Sequence, residues 1–156
     1  MTIVPHALGG AAAATLTSSY LLAFLFGFIS HFILDRIPHL EPKFLVKQEE
    51  DGTKKWSIWL FVFVAVEFII TIIFFSFFKD RSDFMPLLFG IFGGLFPDMV
   101  VNNPFLQKFR HKPLIKYFFW FHDKIHLDIP GKYWYISLVG EVIVIGGSIW
   151  LLLANY

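Results

Sequence analysis

Five histidines and two aspartates stand within or beside strongly apolar stretches of the chain, where ionisable side chains are rare. They are His6, His31, Asp35, His39, Asp98, His122 and His126. Such groups are costly to bury, so they usually have a partner or a function. Imidazole and carboxylate groups are ligands for divalent cations. A bound cation would explain both their number and their spacing, and the sequence therefore predicts a metal site.

His31, Asp35 and His39 follow one another at intervals of four residues. Residues at i and i+4 share one face of a helix, so this spacing predicts that the first two side chains point the same way. Pro38 is expected to end the regular helix and to leave His39 at its edge. The structural alternative is a buried His31–Asp35 pair that only fixes the packing of helices.

His122 and His126 have the same spacing in a second segment. On a helical wheel of residues 114–127 both histidines fall within the apolar arc, which predicts that they face the core. Two inward histidines at this spacing form a ligand pair for a divalent ion. The alternative is an interfacial helix whose histidines are satisfied at its surface.

Asp98 and His6 are weaker candidates taken singly. Asp98 follows Pro97, which is expected to end or kink its helix, so the carboxylate should emerge at the helix end. There it can be a metal ligand, a general base or a simple turn residue. His6 precedes a Gly/Ala-rich helix near the N-terminus. Together the seven side chains exceed the needs of one zinc ion and suit two ions that share a carboxylate.

The composition places these residues in a membrane protein. Hydrophobic residues make up 56% of the 156 and aromatic residues 20%, and the mean hydropathy is +0.64; soluble domains are about 45–50% apolar. The length fits a single domain over residues 1–156. Because the chain has no cysteine, disulfides and thiolate ligands are excluded. The His/Asp donor set suits zinc, with manganese or iron as alternatives.

The apolar segments predict an all-α, polytopic membrane helix bundle of about four to five membrane helices plus one interfacial amphipathic helix. Residues 7–17 and 20–37 are expected to form a helical hairpin, with one long tilted helix as the alternative. Further membrane helices are expected over 56–78, 84–101 and 133–153, and the interfacial helix over 113–127. Residues 40–55 are interpreted as a polar loop.

The basic residues predict the orientation in the membrane. Ten Lys and Arg residues fall in the 40–55 and 102–132 segments, against two in residues 79–83. The positive-inside rule makes the first two segments cytoplasmic, which places all seven candidate ligands at the cytoplasmic face of the inner membrane. Lys108, Arg110, Lys112 and Lys116 would attract anionic lipid headgroups. A nucleic-acid partner is not expected, because the chain lacks a soluble domain.

At these residues the chain resembles the bacterial membrane-bound metal-dependent hydrolase family of the inner membrane. It is more distantly similar to the zinc-dependent phospholipase C and nuclease superfamily. A Gly-aromatic-x-Ser/Cys-His-x-x-x-Asp motif of those proteins is matched by Gly27, Phe28, Ser30, His31 and Asp35. Their Leu-Pro-Asp-x-Asp motif is matched in part by Phe96-Pro97-Asp98, with Val100 in place of its second Asp, and their N-terminal His by His6. The His-Arg-Gly-x-Thr-His-Ser segment of the family is absent. The resemblance implies zinc and hydrolysis.

The sequence thus predicts a metal-dependent hydrolase that acts on a phosphoester or lipid-like substrate, with a metal-activated water as nucleophile. A non-enzymatic alternative is a small membrane protein that binds or transports a divalent metal, in which Glu67 and Glu141 would line the path. A third is a structural membrane protein whose buried polar groups satisfy one another.

Overall fold

A computed structural model describes residues 1–39, 46–48 and 54–155. The helices are α1 (Ile3–Ala14), α2 (Tyr20–Leu34), α3 (Ile58–Ser76), α4 (Phe84–Val101), α5 (Pro104–Gln107), α6 (Pro113–Ile125) and α7 (Trp134–Ala154), with a 3₁₀ turn at Gly131–Tyr133. The prediction of an all-α helix bundle is confirmed. The segment interpreted as a polar loop contains a short antiparallel hairpin, β1 (Val46–Gln48) and β2 (Lys54–Trp56), and its other residues lie outside the described part.

Within the described residues, three helical segments are long and apolar enough to cross a membrane: α3, α4 and Gly131–Ala154, with 19, 18 and 24 residues. The α1 and α2 helices are shorter, with 12 and 15 residues. A helix of 15 residues spans about 22 Å, less than the roughly 30 Å of hydrocarbon in a bilayer. Ser19 begins α2 by accepting a hydrogen bond from Leu22 N, so residues 3–34 form two helices and not one tilted helix.

The α1 helix lies at the centre of the bundle and packs against α2, α3, α4 and α7. Its contacts with α2 and α4 depend on small residues. A Cβ atom on Gly27 or Gly10 would overlap the carbonyl oxygen of Gly90, and one on Gly93 would overlap the carbonyl oxygen of Phe24. Small residues allow this close approach between membrane helices. The glycines therefore bring the backbones of α1, α2 and α4 together near the histidines.

The bundle has two ends with different chemistry. At one end Arg81 donates to Asp83 and to the carbonyl oxygens of Leu152 and Asn155, which joins the α3–α4 loop to the end of α7. The α4 helix runs from this end through 18 residues, about 27 Å, to Asp98 and Val101. The candidate ligands lie at the second end.

The predicted bounds 84–101 of α4 are confirmed, and the helix does not end at Pro97, because membrane helices tolerate proline where neighbouring groups satisfy the backbone. Two other predicted helix ends are wrong. The α2 helix ends at Leu34, not at 37, so His39 is not part of a helix; Pro38 disfavours helical geometry at the residue before it. The α6 helix ends at Ile125, and His126 adopts an extended ψ of 123°.

Candidate metal centre

Asp35 is the centre of the cluster. It is the first residue after α2, and its carboxylate is 1% exposed. Its two oxygens contact different sets of histidines, which we name the Oδ2 group and the Oδ1 group. The Oδ2 group contains His31, His122 and Asp98, and the Oδ1 group contains His39, His126 and His6. A carboxylate placed in this way has the geometry of a bridging ligand.

The Oδ2 group brings side chains from three helices within ligand distance. His31 Nε2 lies 3.1 Å from Asp35 Oδ2 and 3.4 Å from His122 Nε2. Asp98 Oδ1 lies 3.3 Å from His122 Nε2 and 3.9 Å from His31 Nε2. Tetrahedral ligands at zinc distances of about 2.0–2.1 Å lie about 3.3–3.4 Å from one another. Three of the separations, 3.1, 3.3 and 3.4 Å, are close to the edges of a zinc coordination shell, and the other two, from His31 to Asp98 and from His122 to Asp35, are longer at 3.9 Å.

Two members of the Oδ1 group, His39 and His126, lie in segments that follow the ends of α2 and α6. His39 Nε2 and His126 Nε2 lie 3.9 and 3.8 Å from Asp35 Oδ1, and 3.1 Å from each other. The amino group of Met1 lies 3.1 Å from Asp35 Oδ1 and 2.6 Å from His39 Nε2.

A short backbone pairing holds these two histidines face to face. Residues after α2 pair with residues after α6: Leu127 N donates to Asp35 O, His39 N to Leu127 O, and Ile129 N to His39 O. The sequence placed His39 at the edge of its helix, and the pairing holds it five residues beyond the last residue of α2, Leu34. The pairing fixes the distance between the two segments independently of any side chain.

His6 reaches the cluster from α1 and is fully buried. Its ring stacks on that of His31 at a centroid separation of 4.1 Å. Its Nε2 lies 3.1 Å from Asp35 Oδ1, yet neither of its ring nitrogens has a hydrogen-bond partner among the described residues. A ligand atom of His6 also lies within 4.8 Å of those of His31 and Asp98. A buried imidazole without hydrogen bonds is costly, and a metal ion would satisfy it.

The Nδ1 atoms of three histidines each lie within hydrogen-bond distance of an acceptor oxygen. His31 Nδ1 lies 2.8 Å from Gly94 O, His39 Nδ1 lies 2.8 Å from Ile37 O, and His126 Nδ1 lies 3.1 Å from Asp128 Oδ1. Carbonyl and carboxylate oxygens only accept, so each Nδ1 donates. In the neutral ring Nε2 then carries the lone pair, which is the form that binds a metal ion. Metal-binding histidines are held in this way.

In the Oδ2 group these lone pairs would face one another and a carboxylate in the absence of a cation. In the Oδ1 group the amino group of Met1 already lies 3.1 Å from Asp35 Oδ1 and 2.6 Å from His39 Nε2, so an ion bound there would displace it. Protons on every Nε2 would instead set positive charges against each other at 3.4 Å in the His31–His122 pair and 3.1 Å in the His39–His126 pair. A metal ion beside each pair satisfies both nitrogens at once. The cluster can therefore hold a metal ion.

The pKa values follow from burial and from the neighbouring charges. Burial raises the pKa of Asp35, but its contacts with the imidazoles of His31 and His6 outweigh burial and hold that pKa well below the usual range. Burial, with the adjacent Met1 ammonium, lowers the pKa of His39 to about 4. Burial also acts to lower the pKa of His122, but the hydrogen bond to Asp98 and the charges of Asp98 and Asp35 raise it above the ordinary value. At neutral pH Asp35 is thus ionised and His39 neutral, the forms that bind metals.

The structure brings all seven predicted side chains together. Their roles as ligands stay a prediction. Asp128, the acceptor for His126, was not predicted, although its position two residues after a candidate ligand is a usable signal. Glu67 and Glu141 are not in the cluster: Glu67 Oε2 accepts from Ile3 N at the start of α1, and Glu141 Oε1 accepts from Ser137 Oγ. His111 is exposed and lies outside the cluster.

No family model, no curated protein and no solved structure matches this chain. The resemblance to membrane-bound metal-dependent hydrolases therefore stays a prediction from its motifs.

Proposed function

We propose that this protein is a membrane-embedded hydrolase of phosphoesters that binds two divalent metal ions, zinc in the first place and manganese or iron as alternatives. The observation that carries the proposal is the division of the histidines between the two oxygens of Asp35. One ion would be held by the Oδ2 group and one by the Oδ1 group, with Asp35 as the shared ligand. Two-ion sites that share a carboxylate are typical of phosphoester hydrolysis.

The protein supplies ligands, a base and a route of access. When bound, the metal ions would polarise a phosphate oxygen and lower the pKa of a coordinated water to near neutrality. Asp98 is 34% exposed, whereas Asp35 is buried, so the Asp98 carboxylate marks the accessible side of the cluster. Its carboxylate lies 3.3 Å from His122 Nε2, and as an alternative to the role of ligand it would serve as the general base.

The proposed location is the cytoplasmic face of the inner membrane. The cluster is at the end of the bundle away from Arg81, and the basic segment around Lys108–Lys116 belongs to the same end of α4. Positive charge there favours the cytoplasmic side and attracts anionic headgroups.

The distribution of polar groups distinguishes hydrolysis from metal transport. Transport needs ligands along the depth of the bundle, where Glu67 of α3 and Glu141 of α7 are the candidates. The Glu67 carboxylate accepts the backbone N–H of Ile3 at 2.7 Å, so it stabilises the N-terminus of α1. The ligands are instead concentrated at one end, which supports the hydrolase over the transporter.

Metal analysis of the purified protein tests this proposal. We expect about two zinc or manganese ions per chain and hydrolysis of p-nitrophenyl phosphate by the metal-loaded protein. His31→Ala should reduce both, because it removes a ligand at the centre of the Oδ2 group. His111→Ala is the matched control and should change neither. Wild-type protein that takes up no divalent metal, and that gains no thermal stability from zinc or manganese, would rule out the proposal and favour a structural role.

A further inference from the structure

An apolar groove of about 460 Å³ runs between α2 and α6 beside the metal cluster. Phe28, Phe32 and Ile33 of α2 line one wall, and Phe121 and Ile125 of α6 line the other. Arg36 is the one charged residue among the lining residues. The groove is open to the surroundings, since Ile33 is 63% and Phe121 45% exposed.

The groove and the cluster share their walls. The ring of Phe32 lies 5.3 Å from that of His31, 6.3 Å from that of His122 and 5.2 Å from that of Phe121. Arg36 follows Asp35 directly, and Phe121 precedes His122. The Phe32 ring therefore borders both the groove and two ligands of the Oδ2 group, His31 and His122.

The groove also has a direction. Phe28 lies six residues before the end of α2, about 9 Å along its axis. Arg36 lies just beyond that end, level with Asp35. The groove thus extends from Arg36 along the apolar side chains of α2. An anionic lipid has the same arrangement, with a charged phosphate at one end of an apolar acyl chain.

Charge supports an anionic occupant. Within the described part of the chain, no carboxylate lies within ion-pair distance of Arg36, although the side chain is exposed beside a cluster rich in acceptors. An exposed guanidinium at this position is suited to a phosphate group, which it binds through paired N–H donors.

We propose that this groove binds one acyl chain of an anionic membrane lipid, with the lipid phosphate held between Arg36 and the metal cluster. This inference rests on the proposed function and names its substrate class: a lipid phosphoester drawn laterally from the surrounding bilayer. The Phe32 and Phe121 rings would hold the chain, and Arg36 would select the charged headgroup.

Lipid binding to zinc-loaded protein in detergent, measured by native mass spectrometry, tests the groove. The probe is dioleoyl phosphatidic acid, with dioleoylglycerol as the uncharged lipid of the same chains. Ile33→Trp places a large ring in the groove and should weaken binding of both lipids about tenfold or more, because the chain loses buried methylenes. Arg36→Gln should weaken binding of phosphatidic acid and leave dioleoylglycerol unchanged. Ile143→Trp, at a site on α7 that is 67% exposed, is the matched control and should behave as wild type.

Equal lipid binding by Ile33→Trp and Ile143→Trp would show that the lipids are only annular and would overturn the proposal. Conversion of a wild-type dimer to a monomer by Ile33→Trp would overturn it too, since the groove would then hold a second copy. The metal content and the hydrolysis of p-nitrophenyl phosphate are measured on the same samples. Metal content and hydrolysis test the proposed function, whereas lipid binding tests the proposed lipid site in the groove.

Discussion

Asp35 has more contacts with candidate ligands than any other residue of the cluster: its oxygens lie 3.1 Å from His6 and His31 and at most 3.9 Å from three further histidines. Its position at the end of α2 places the carboxylate between α1, α2 and the segment after α6. An amide at this position would keep the size but lose the negative charge and one acceptor oxygen. Asp35 is therefore the residue whose charge decides whether the cluster can hold two cations.

Asp35→Asn is expected to reduce bound metal from about two ions per chain to one or none. Asn cannot bridge two cations with two anionic oxygens, so affinity should fall by more than about 100-fold for at least one ion. Metal content after dialysis against a graded series of chelator concentrations measures this. Asp80→Asn is the control, since that side chain is exposed and lies in the loop between α3 and α4, at the other end of the bundle. Unchanged metal content in Asp35→Asn would contradict the bridging role.

Asp128 holds His126 through a 3.1 Å contact with Nδ1 and does not reach the metal side of the ring. Such partners fix the tautomer and the orientation of the ligand, and their removal costs about 10–100-fold in metal affinity. We expect Asp128→Ala to weaken one metal site by this factor and to leave the second unchanged. Competition with a fluorescent zinc chelator would resolve the two affinities. An equal loss at both sites would point to a change in the fold instead.

At the scale of elements, glycine spacing decides how closely α1, α2 and α4 approach. These helices carry His6, His31 and Asp98, so the distances within the cluster depend on the distances between their backbones. The glycine pattern in α4 was visible in the sequence. The partner atoms, the carbonyls of Gly90 and Phe24, are identified only by the packed structure.

Gly27→Ala is expected to destabilise the bundle and to release metal. Its Cβ would overlap the carbonyl oxygen of Gly90, which cannot move without shifting α4. Overpacking of this kind costs about 1–3 kcal/mol, occasionally more. Thermal unfolding in detergent and metal content would both fall. Gly146→Ala is the control, because nothing lies within 4 Å of an added Cβ there. Wild-type stability in Gly27→Ala would show that α2 and α4 are not held this closely.

At the scale of the whole molecule, the two ends of the bundle differ in charge and chemistry. The ligands, the residues after α2 and those after α6 are at one end. Arg81 joins the α3–α4 loop to the end of α7 at the other. The positive-inside rule predicts that the ligand end is cytoplasmic, because ten of the basic residues lie in the 40–55 and 102–132 segments of the sequence.

Reporter fusions after residues 50, 81, 112 and 156 test this orientation. We expect cytoplasmic signals at 50 and 112 and external signals at 81 and 156. The physical reason is the cost of moving many positive charges across the membrane during insertion. Arg81→Ala with the fusion at 156 serves as a control for the loop contact and should keep the external signal. An external signal at 50 or 112 would reverse the orientation and place the cluster outside the cell.

The sequence by itself determined the helical, apolar class of this chain and the seven histidines and aspartates that meet in the buried cluster. Both follow from local rules: long apolar runs form helices in a membrane, and ionisable groups inside them need a partner. The four-residue spacing also placed His31 and Asp35 on one face of α2, because neighbours in sequence share a helix.

Only the tertiary structure decided how the histidines divide between the two oxygens of Asp35. His39 and His126 meet through a backbone pairing between two segments that leave their helices, and a helical wheel describes neither residue there. The persistence of α4 through Pro97 and the roles of Asp128 and Glu67 likewise depend on groups far away in sequence. Contacts of this kind are set by the packing of all the helices at once, and local spacing holds no information about them.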